Sequence, residues 1–306
     1  MDTHTHWIGL GSLALWVGSS ILFANAEEQY YFGPATEVSV EAPALPGGAD
    51  PGGSASKAKL VMLSNTPGAA HDQRLVMVYA DANQTQPVWH PKNGEHLPKD
   101  IFARFSDDDG ASWSDPVNLS QTAQLYSAHA DWNGDGTQEI YWGDSGKPNI
   151  FNSGDNIVVS WTDKYCPEES WSFGDVGDST AQGVATYPDL DVYPNEREVP
   201  FSGTYVAISN DGGTTWAYGG ANPPLQLTYG RRDAIQDVAR GAGGRWAVTW
   251  QEDPEGLQTG DADGPGDGSS GANAKNGTDV WYTFTTDLAL DPTALRTNIT
   301  PLTNHS

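Results

Sequence analysis

Residues 131–139 combine oxygen-bearing side chains and glycines at a spacing that favours binding of a hard cation. Calcium binds six to eight oxygen ligands, and glycine at positions 4 and 6 of this segment allows a tight loop. Four side chains and one main-chain carbonyl supply the oxygens, those of Asp131, Asn133, Asp135 and Glu139 and that of Thr137. The segment therefore predicts a structural calcium site.

The segment resembles the short calcium loop of the FG-GAP repeats, in which aspartate usually stands at the ninth position. Glu139 departs from that pattern, and Trp142 at position 12 excludes an EF-hand, which has glutamate there. An acidic Asn-Gly and Asp-Gly turn without an ion is the alternative interpretation. A second acidic, glycine-rich stretch, residues 260–268, lacks regular ligand spacing and is interpreted as a flexible insertion, with a second cation site as the alternative.

Arginines are the candidates for gripping an anionic ligand, because a guanidinium binds a carboxylate in a bidentate manner. Arg74 precedes a predicted strand, and Arg231 and Arg232 lie between Tyr229 and Asp233 ahead of another. We predict ligand binding by these three arginines, with ordinary surface salt bridges as the alternative for Arg231 and Arg232.

Histidine and cysteine give weaker indications of chemistry. No His-Glu-x-x-His pattern occurs, so the sequence does not support a zinc hydrolase. Cys166 is the only cysteine, which excludes an intramolecular disulfide. A soft-metal site formed by His90, His96, His129 and Cys166 stays open beside a simple buried role for Cys166.

The elements that position these residues repeat three times along the chain. One predicted strand ends in an aromatic residue and an acid, and it recurs at 76–81, 158–163 and 247–252. A second strand of alternating residues follows at 100–106, 203–209 and 279–285, and a short closing strand follows at 117–120, 225–228 and 299–303. Acids Asp81, Asp163 and Glu252 at the ends of the first strands are interpreted as turn caps.

The turn after the second strand fits Ser-x-Asp-x-Gly-x-x-Trp in two of the three repeats. Serine and aspartate oxygens accept hydrogen bonds from the turn amides, glycine takes a positive φ, and tryptophan folds back as an apolar plug. The two copies are Ser106, Asp108, Gly110 and Trp113, and Ser209, Asp211, Gly213 and Trp216. The third repeat keeps only Thr285 and Asp287 of the pattern.

This pattern resembles the Asp-box, or BNR, repeat of the sialidase-like β-propellers over about residues 70–303. The resemblance implies an all-β fold of four-stranded blades, six in a sialidase-type ring, with structural Asp boxes away from the ligand face. About three blades are present, at about 70–120, 157–228 and 246–303, so a partial propeller with inserted loops is predicted. Weak blades within 121–205 are the alternative. A fainter likeness is to the bacterial choice-of-anchor surface propellers.

Three blades do not close a ring, because each buries its faces against two neighbours. We therefore expect missing C-terminal blades or a partner half-propeller from another chain.

The N-terminal residues indicate export. Residues 1–26 contain an apolar run that ends in Ala24-Asn25-Ala26, which predicts a signal peptide, and residues 27–58 form a Pro/Gly-rich linker before the repeats. An uncleaved anchor is the alternative, since basic residues are missing before the apolar run. We expect a secreted, periplasmic or cell-surface protein without a membrane span in the mature chain.

Charge limits the partners. With 15 basic and 40 acidic residues the formal charge is −25, which excludes nucleic acid as a partner. The function predicted is a recognition or structural module that binds carbohydrate or another surface ligand. The alternative is a sialidase-type glycoside hydrolase, although the catalytic Tyr-Glu pair and acid/base Asp that the family implies match no motif here.

Overall fold

A computed structural model of the protein describes residues 55–64, 70–90, 93–167, 182–187, 196–230, 233–252 and 279–303. Contacts divide the chain into Met1–Glu37 and Val38–Ser306, and the described residues all belong to the second unit. The predicted signal peptide 1–26 lies outside the described residues. The predicted linker 27–58 also lies outside them except for its last residues, and the first strand begins there at Ser56.

The described residues are almost entirely β-strands and connecting turns, which confirms the all-β prediction for this part of the chain. Its one α-helix, α1, is a single turn at Ala294–Thr297. The strands, in chain order, are β1 Ser56–Met62, β2 Leu75–Ala82, β3 Val88–His90, β4 Gly94–His96, β5 Lys99–Ser106, β6 Val117–Asn118, β7 Tyr126–Ala130, β8 Glu139–Trp142, β9 Ser145–Ser153, β10 Asn156–Asp163, β11 Val184–Tyr187, β12 Arg197–Pro200, β13 Gly203–Ser209, β14 Leu225–Gln226, β15 Ala234–Ala242, β16 Arg245–Glu252, β17 Asp279–Thr285 and β18 Thr300–Pro301.

Three four-stranded antiparallel sheets follow one another along the chain. Their strand orders are β1-β2-β5-β6 for the first sheet, β9-β10-β13-β14 for the second and β15-β16-β17-β18 for the third. Each sheet is a simple meander because neighbours in the sheet follow one another in sequence apart from inserted hairpins. The first strands of the sheets lie side by side, with β9 in contact with both β1 and β15.

The sheets pack face to face with the second sheet in the middle. One apolar cluster joins the first sheet to the second through residues such as Val78, Ile101 and Trp161. Another joins the second to the third through residues such as Val206 and Trp250. All seven residues of β13 are buried, whereas five of the seven residues of β1 are exposed. Only the middle sheet therefore has both faces covered by the described residues.

Three two-stranded hairpins are inserted between the strands of the sheets: β3–β4, β7–β8 and β11–β12. Two of them connect the second and third strands of a sheet, and β7–β8 connects the first sheet to the second. In a meander these connections fall at one end, which we call the hairpin end. The opposite, turn end carries the turns that follow β5, β13 and β17.

The hairpins pack on one another around a third apolar cluster. Its buried members are Val88, Trp89, Ala130, Tyr141, Val199 and Phe201. Within the described part of 121–205 the chain forms hairpins and strands of the second sheet, and no further four-stranded sheet. The alternative of additional weak blades in that region therefore finds no counterpart there.

The predicted strands lie in the second, third and fourth strands of the sheets. Each sheet begins with a further strand, β1, β9 or β15, that the sequence pattern did not indicate. Glycine, proline and exposed polar residues interrupt the alternation in these strands, and each contains a register shift against its neighbour. Among the described residues, no helix has the length and apolar character needed to cross a membrane.

Candidate functional site

The two predicted Ser-x-Asp-x-Gly-x-x-Trp turns adopt the same hydrogen-bond pattern at the turn end. In the first, Ser106 Oγ donates to Asp108 Oδ1 at 2.8 Å and accepts from the Gly110 amide at 2.8 Å. The Ser112 amide donates to Asp108 Oδ1 at 2.8 Å. Hydrogen bonds from Ser112 and Ser106 hold the pKa of Asp108 below its ordinary value. Gly110 has a φ of +85°, which only glycine adopts without strain.

The second turn repeats these contacts between equivalent atoms. Ser209 Oγ donates to Asp211 Oδ1 at 2.8 Å, and the Gly213 amide, with a φ of +83°, donates to Ser209 Oγ at 2.9 Å. Trp216 is buried between the first and second sheets, while Trp113 is only partly buried. The difference follows from position, because Trp216 belongs to the sheet that has a neighbour on each face.

The third turn keeps a smaller part of the pattern. The Asp287 amide donates to Thr285 Oγ1 at 3.2 Å, and the Ala289 amide donates to Asp287 Oδ1 at 3.1 Å. Leu288 is buried in the cluster between the second and third sheets. An apolar side chain therefore anchors this turn.

Arg74 lies at the turn end, between the first two turns. Its guanidinium makes a bidentate pair with Asp107, at 2.6 Å and 2.8 Å, and stacks on Phe105 at 4.1 Å from the ring centroid. It also donates to Thr214 Oγ1 at 2.7 Å and to the Gly212 carbonyl at 3.2 Å. Arg74 thereby joins the first sheet to the second turn, far along the strands from the hairpin end. Arg231 and Arg232, the other predicted ligand-binding arginines, lie outside the described residues.

The predicted calcium loop is the connection between β7 and β8 at the hairpin end. Carboxylate oxygens of Asp131, Asp135 and Glu139 lie within 4.8 Å of one another. The amides of Gly134 and Gly136 donate to the two oxygens of Asp131, each at 2.8 Å. The loop is thus closed around its acidic side chains.

Two further features of this loop affect its ability to bind a cation. Glu139 Oε2 is buried and has no hydrogen-bond partner, while Thr137 Oγ1 donates to Glu139 Oε1 at 2.7 Å. The Asn133 side-chain amide donates to Asp135 and to Glu139, each at 3.1 Å. A cation ligated by Asn133 would require this amide to turn its oxygen inward. The donor set consists of hard oxygen atoms, which suits calcium.

The acids at the ends of β2, β10 and β16 lie at the hairpin end and are engaged in local hydrogen bonds. Trp161 Nε1 donates to Asp163 at 3.3 Å, and Trp250 Nε1 donates to Glu252 at 2.9 Å. Asp81 accepts from the amide of the next residue at 2.9 Å. Main-chain amides that donate to Asp81 and Asp163 agree with the capping role expected for these two acids, whereas the contact described for Glu252 is with an indole.

Asp163 lies at the centre of a buried polar network. It accepts hydrogen bonds from Thr122 Oγ1 at 2.7 Å, Ser145 Oγ at 2.5 Å and the Tyr165 amide at 2.9 Å. Burial raises the pKa of Asp163 to about 6, against the effect of these hydrogen bonds. The network ties β10 to β9 and to the connection that leaves the first sheet.

A small cavity opens beside this network, where the first strands meet the hairpins. Its volume is about 50 Å³, which holds about two water molecules or one compact polar group. Its lining consists of charged, polar and small residues: Lys57, His90, Asn93, Asp144, Gly146, Lys147, Thr162, Lys164 and Ser202. We call it the hairpin-end pocket.

Charges around the hairpin-end pocket are partly paired. His96 Nε2 contacts Asp144 Oδ2 at 3.0 Å, and the Lys99 amide donates to Asp144 Oδ1 at 3.0 Å. Burial alone would lower the pKa of His96, but the Asp144 carboxylate outweighs it and raises the pKa. Burial lowers the pKa of His90 well below its ordinary value, and also that of Lys164, which donates to the Pro200 carbonyl at 2.7 Å.

The predicted soft-metal residues have separate partners. His129 contacts the Tyr126 hydroxyl, and Cys166 Sγ is 3.6 Å from the Asp163 carbonyl. In the ranges that the structure describes, the calcium loop is the one place where three His, Cys, Asp or Glu ligand atoms converge. No sequence motif indicates the hairpin-end pocket, because most of its residues come from segments outside the repeated strands and turns.

Two larger cavities lie elsewhere. One of about 600 Å³ is an open groove beside the second turn, lined by Trp216 and neighbouring turn residues. Another, of about 300 Å³, lies beside the third sheet and includes Tyr229 and Trp281. The first is at the turn end, where the side chains of Asp211 and Thr215 already bond to each other. We therefore consider the smaller but more polar hairpin-end pocket the stronger candidate.

No protein-family model and no curated protein matches the chain. Similar solved structures include a Penicillium chrysogenum alpha-L-arabinanase complexed with arabinobiose, at 12% identity and a TM-score of 0.37, covering 80% of this chain and 50% of that one. The GH93 alpha-L-arabinofuranosidase of Fusarium graminearum with arabinobiose is similar at 10% identity and a TM-score of 0.34, covering 76% of this chain and 46% of that one. The chain thus spans about half the length of the structures it matches.

Proposed function

We propose that the chain forms part of an exported Asp-box β-propeller that binds a carbohydrate at the hairpin end of its sheets. The observation that carries this proposal is the hairpin-end pocket, where polar side chains from two first strands, β10 and an inserted hairpin converge. Binding sites are typically concave and lined by a few convergent polar groups on a rigid scaffold. Hydroxyl groups of a sugar are the natural partners of such donors and acceptors.

The propeller assignment is supported by the arrangement of the three sheets. Each is a four-stranded meander, they pack face to face in chain order, and their first strands are neighbours. Blades of a propeller surround a central axis in this way. The two equivalent serine–aspartate turns support the sialidase-like Asp-box type, and six blades would then be the full ring.

Further blades are part of the proposal. Leu60 and Met62 on β1 are 52% and 50% exposed, and Phe284 on β17 is 39% exposed. These apolar side chains lie on the two outer sheets, whose neighbours in a ring would cover them. We propose that additional blades, from this protein or from a partner half-propeller, pack there.

Export is proposed from the signal-like residues 1–26 and the linker 27–58. The hydrolase alternative requires an arginine clamp for the substrate carboxylate. Arg74 bonds to Asp107 and Thr214 at the turn end, which is the opposite end of the sheets from the pocket. It therefore takes no part in the proposed site. We therefore favour binding over sialidase-type hydrolysis.

A glycan array probed with the full-length protein tests the proposed function. Arabinobiose belongs among the ligands because two of the similar structures contain it. Gly146→Leu is the blocking variant, since a Cβ at Gly146 meets no atom within 4 Å and a larger side chain would enter the pocket. We expect binding to at least one glycan, reduced about tenfold or more by Gly146→Leu.

Arg74→Ala is the control at the turn end and should retain binding. A protein that binds no glycan, or a Gly146→Leu variant that binds as well as the wild type, would contradict the proposed site. A fluorogenic sialoside distinguishes binding from hydrolysis, because turnover of that substrate would favour the sialidase-type hydrolase.

We further propose that calcium occupies the loop between β7 and β8. Asp131, Asp135 and Glu139 would hold the ion, with Asn133 and the Thr137 carbonyl as additional ligands. The ion would stabilise the loop against the repulsion of its own acids, and the Asp131 amide is itself tied to Glu198 at 3.0 Å. Calcium would therefore make the packing of two hairpins more rigid.

Thermal melts of the full-length protein with calcium and with EGTA test this proposal. We expect EGTA to lower the melting temperature by several degrees, as is typical of removing a ligand that binds only the folded state. In Asp131→Ala the difference should disappear. An identical wild-type melt in calcium and EGTA would favour the ion-free acidic turn.

A further inference from the structure

The cavity beside the third sheet lies at the hairpin end and differs in character from the hairpin-end pocket. Tyr229, in the connection between β14 and β15, and Glu252, the last residue of β16, place it there. Trp281 and Ile299 add apolar surface to its lining, and Thr228 adds a hydroxyl group. We call this cavity the aromatic pocket. Aromatic and aliphatic side chains combined with a few polar groups are typical of small-molecule sites.

Volume separates the two cavities at this end of the sheets. The hairpin-end pocket, at about 50 Å³, holds one compact polar group, whereas the aromatic pocket has a volume of about 300 Å³. Small-molecule sites range from about 300 to 1,000 Å³, so the aromatic pocket suits a ligand of one ring rather than a long chain. A sugar ring that is too large for the first cavity can therefore enter the second.

Trp281 provides a fixed aromatic surface. It lies directly opposite Trp250 where β16 pairs with β17. Trp250 is fully buried, whereas Trp281 is partly buried and packs against the apolar cluster between the second and third sheets. The core therefore holds the Trp281 ring in place while the ring still lines the aromatic pocket. A side chain that is already ordered loses little conformational entropy when a ligand binds.

Tyr229 is held at its hydroxyl group and through the preceding residue. Arg296 donates to the Tyr229 hydroxyl at 2.5 Å, and its guanidinium lies 6.0 Å from the centroid of the tyrosine ring. Thr228 is bonded to the start of β13, because the Thr204 amide donates to Thr228 Oγ1 at 2.8 Å. These contacts connect Tyr229 to both the second and the third sheet, so its ring is preorganised as well.

Polar groups border the two aromatic rings. Glu252 accepts a hydrogen bond from the Trp250 indole at 2.9 Å. A carboxylate offers about four lone-pair sites, so Glu252 can accept from a ligand hydroxyl as well. Thr228 Oγ1 accepts from the Thr204 amide, and its own O–H can donate to a ligand. The lining thus offers an acceptor and a donor beside flat apolar surfaces.

We propose that the aromatic pocket is a second carbohydrate subsite, which binds one neutral sugar ring. The C–H face of the sugar packs against Trp281 and Tyr229, and its hydroxyls bond to Glu252 and Thr228. The inference rests on the proposed carbohydrate function and specifies the ligand class at this cavity. A sugar ring has an apolar face and a polar edge, which match the aromatic rings and the polar groups of the lining.

A purely apolar ligand fits this lining less well. Glu252 is 9% exposed and Thr228 is 8% exposed, so a ligand that fills the aromatic pocket removes most of the remaining water from both. Burying polar oxygens without a new hydrogen bond costs free energy, and burying a charged oxygen costs more. Hydroxyl groups on the ligand offset that cost, whereas a hydrocarbon does not.

Saturation-transfer difference NMR of the full-length protein tests the subsite with neutral probes. They are the methyl glycosides of glucose, galactose, mannose, xylose and arabinose, and indole is added as an apolar aromatic probe. Irradiation of the aromatic protons of the protein should transfer saturation to at least one glycoside, most strongly to the C–H protons of one ring face. Transfer depends steeply on distance, so this pattern identifies a sugar packed on aromatic side chains.

Tyr229→Ala is the deciding variant, and Tyr229→Phe shows whether the ring makes the contact. We expect Tyr229→Ala to weaken glycoside binding about tenfold or more and Tyr229→Phe to keep it. Tyr282→Ala is the matched control. Tyr282 follows Trp281 on β17, is also partly buried and is absent from the lining of the aromatic pocket. It stacks on Phe284 instead, so its variant should bind like the wild type.

Ile299→Trp tests the same cavity without removing an aromatic ring. The larger side chain would occupy part of the cavity, so we expect it to weaken glycoside binding about as much as Tyr229→Ala does. Melting temperatures recorded for each variant show that it is folded. A folded Ile299→Trp variant that binds as well as the wild type would contradict the proposed subsite.

The outcomes separate this subsite from the proposed function. Gly146→Leu, which blocks the hairpin-end pocket, should leave transfer to the methyl glycosides unchanged. Loss of transfer in that variant, or equal binding by Tyr229→Ala and Tyr282→Ala, overturns the aromatic subsite and leaves carbohydrate binding in place. Transfer to indole alone, or to no probe, also overturns it, and the glycan array then decides whether any carbohydrate binds.

Discussion

Arg74 shows how a residue chosen for ligand binding serves a structural purpose. Its guanidinium bridges Asp107 of the first sheet and Thr214 of the second, in a position where its side chain is 8% exposed. Hydrogen bonds to charged groups contribute more to stability than those between neutral groups. Asp107 is 54% exposed, however, and solvent weakens its ion pair with Arg74. Hence the contact stabilises the junction between the sheets rather than a ligand.

We predict that Arg74→Ala lowers the free energy of unfolding by about 2 kcal/mol, because it removes the hydrogen bonds and the stacking on Phe105. Urea denaturation measures the change. Arg245→Ala, at an exposed position on β16, is the control and should stay within about 0.5 kcal/mol of the wild type. An Arg74→Ala protein as stable as this control would show that the bridge contributes nothing.

Asp163 gives a prediction for pH. Its folded pKa of about 6 lies above the ordinary value of 3.8, so folding favours the protonated carboxyl. The contribution to stability is therefore present at low pH and is lost as pH rises from about 4 to about 6. The difference of 6 − 3.8 = 2.2 pKa units corresponds to about 3 kcal/mol.

Denaturation of wild type and Asp163→Asn at several pH values between 4 and 7 isolates this effect. The free energy of unfolding of the wild type should fall relative to the variant by up to about 3 kcal/mol across that range. Subtraction of the variant removes groups that titrate independently. A difference that is constant with pH would mean that the Asp163 network fully compensates for burial.

Much of the residue-level chemistry of the turns was readable from the sequence, and the pocket was not. The serine, aspartate and glycine of each turn lie within eight residues and bond to one another, so their spacing in the sequence directly predicts these contacts. Lys57, Lys147 and Lys164 line one cavity only because β1 of the first sheet packs beside β9 of the second. Chain order could have placed Arg74 correctly, since the connection between the first and second strands of a meander lies at the turn end.

At the scale of the element, the two tryptophan-bearing turns differ in what they pack against. Trp216 is 6% exposed within the cluster that joins the first and second sheets, and its turn also approaches Leu63 and His71 in the connection between β1 and β2. Trp113 is only partly buried on the outer sheet. The same motif is therefore expected to contribute differently to the free energy of unfolding in the two repeats.

We predict that Trp216→Ala lowers the free energy of unfolding by about 3–5 kcal/mol, the usual range for a large aromatic residue in a core. Trp113→Ala should cost about 1–2 kcal/mol, because it removes less buried surface. Guanidinium denaturation of the two variants measures the difference. Equal losses would show that another element covers Trp113 in solution.

The first strands are the elements of the four-stranded sheets that the sequence pattern does not indicate. β9 contains a glycine, a proline and a bulge, and β15 also contains a bulge. Such interruptions hide the alternation on which strand prediction depends. The second and third strands of each sheet pair without a register shift, and the sequence predicted them in all three repeats.

At the scale of the whole molecule, the proposed binding site and the structural turns lie at opposite ends of the same sheets. The turn end contains Arg74 and the two equivalent turns, in each of which the aspartate bonds to the serine and to a main-chain amide. The hairpin end contains the pocket, the proposed calcium loop and two bulge lysines with a positive φ, Lys57 and Lys147. Repeat architectures allow this separation, since insertions at one end leave the stacking of the sheets unchanged.

Hydrogen exchange of the full-length protein tests how the sheets are covered. Seven of eight residues in β10 and all seven in β13 are buried, whereas three of seven in β17 and none in β1 are. Exchange follows local opening, so the amides of β10 and β13 should exchange at least about tenfold more slowly than those of β1 and β17. The outer faces compared in this experiment carry three exposed apolar side chains, Leu60, Met62 and Phe284. If β17 proves as protected as β13, a further blade already packs on the third sheet, and Phe284→Lys should then release it and restore fast exchange.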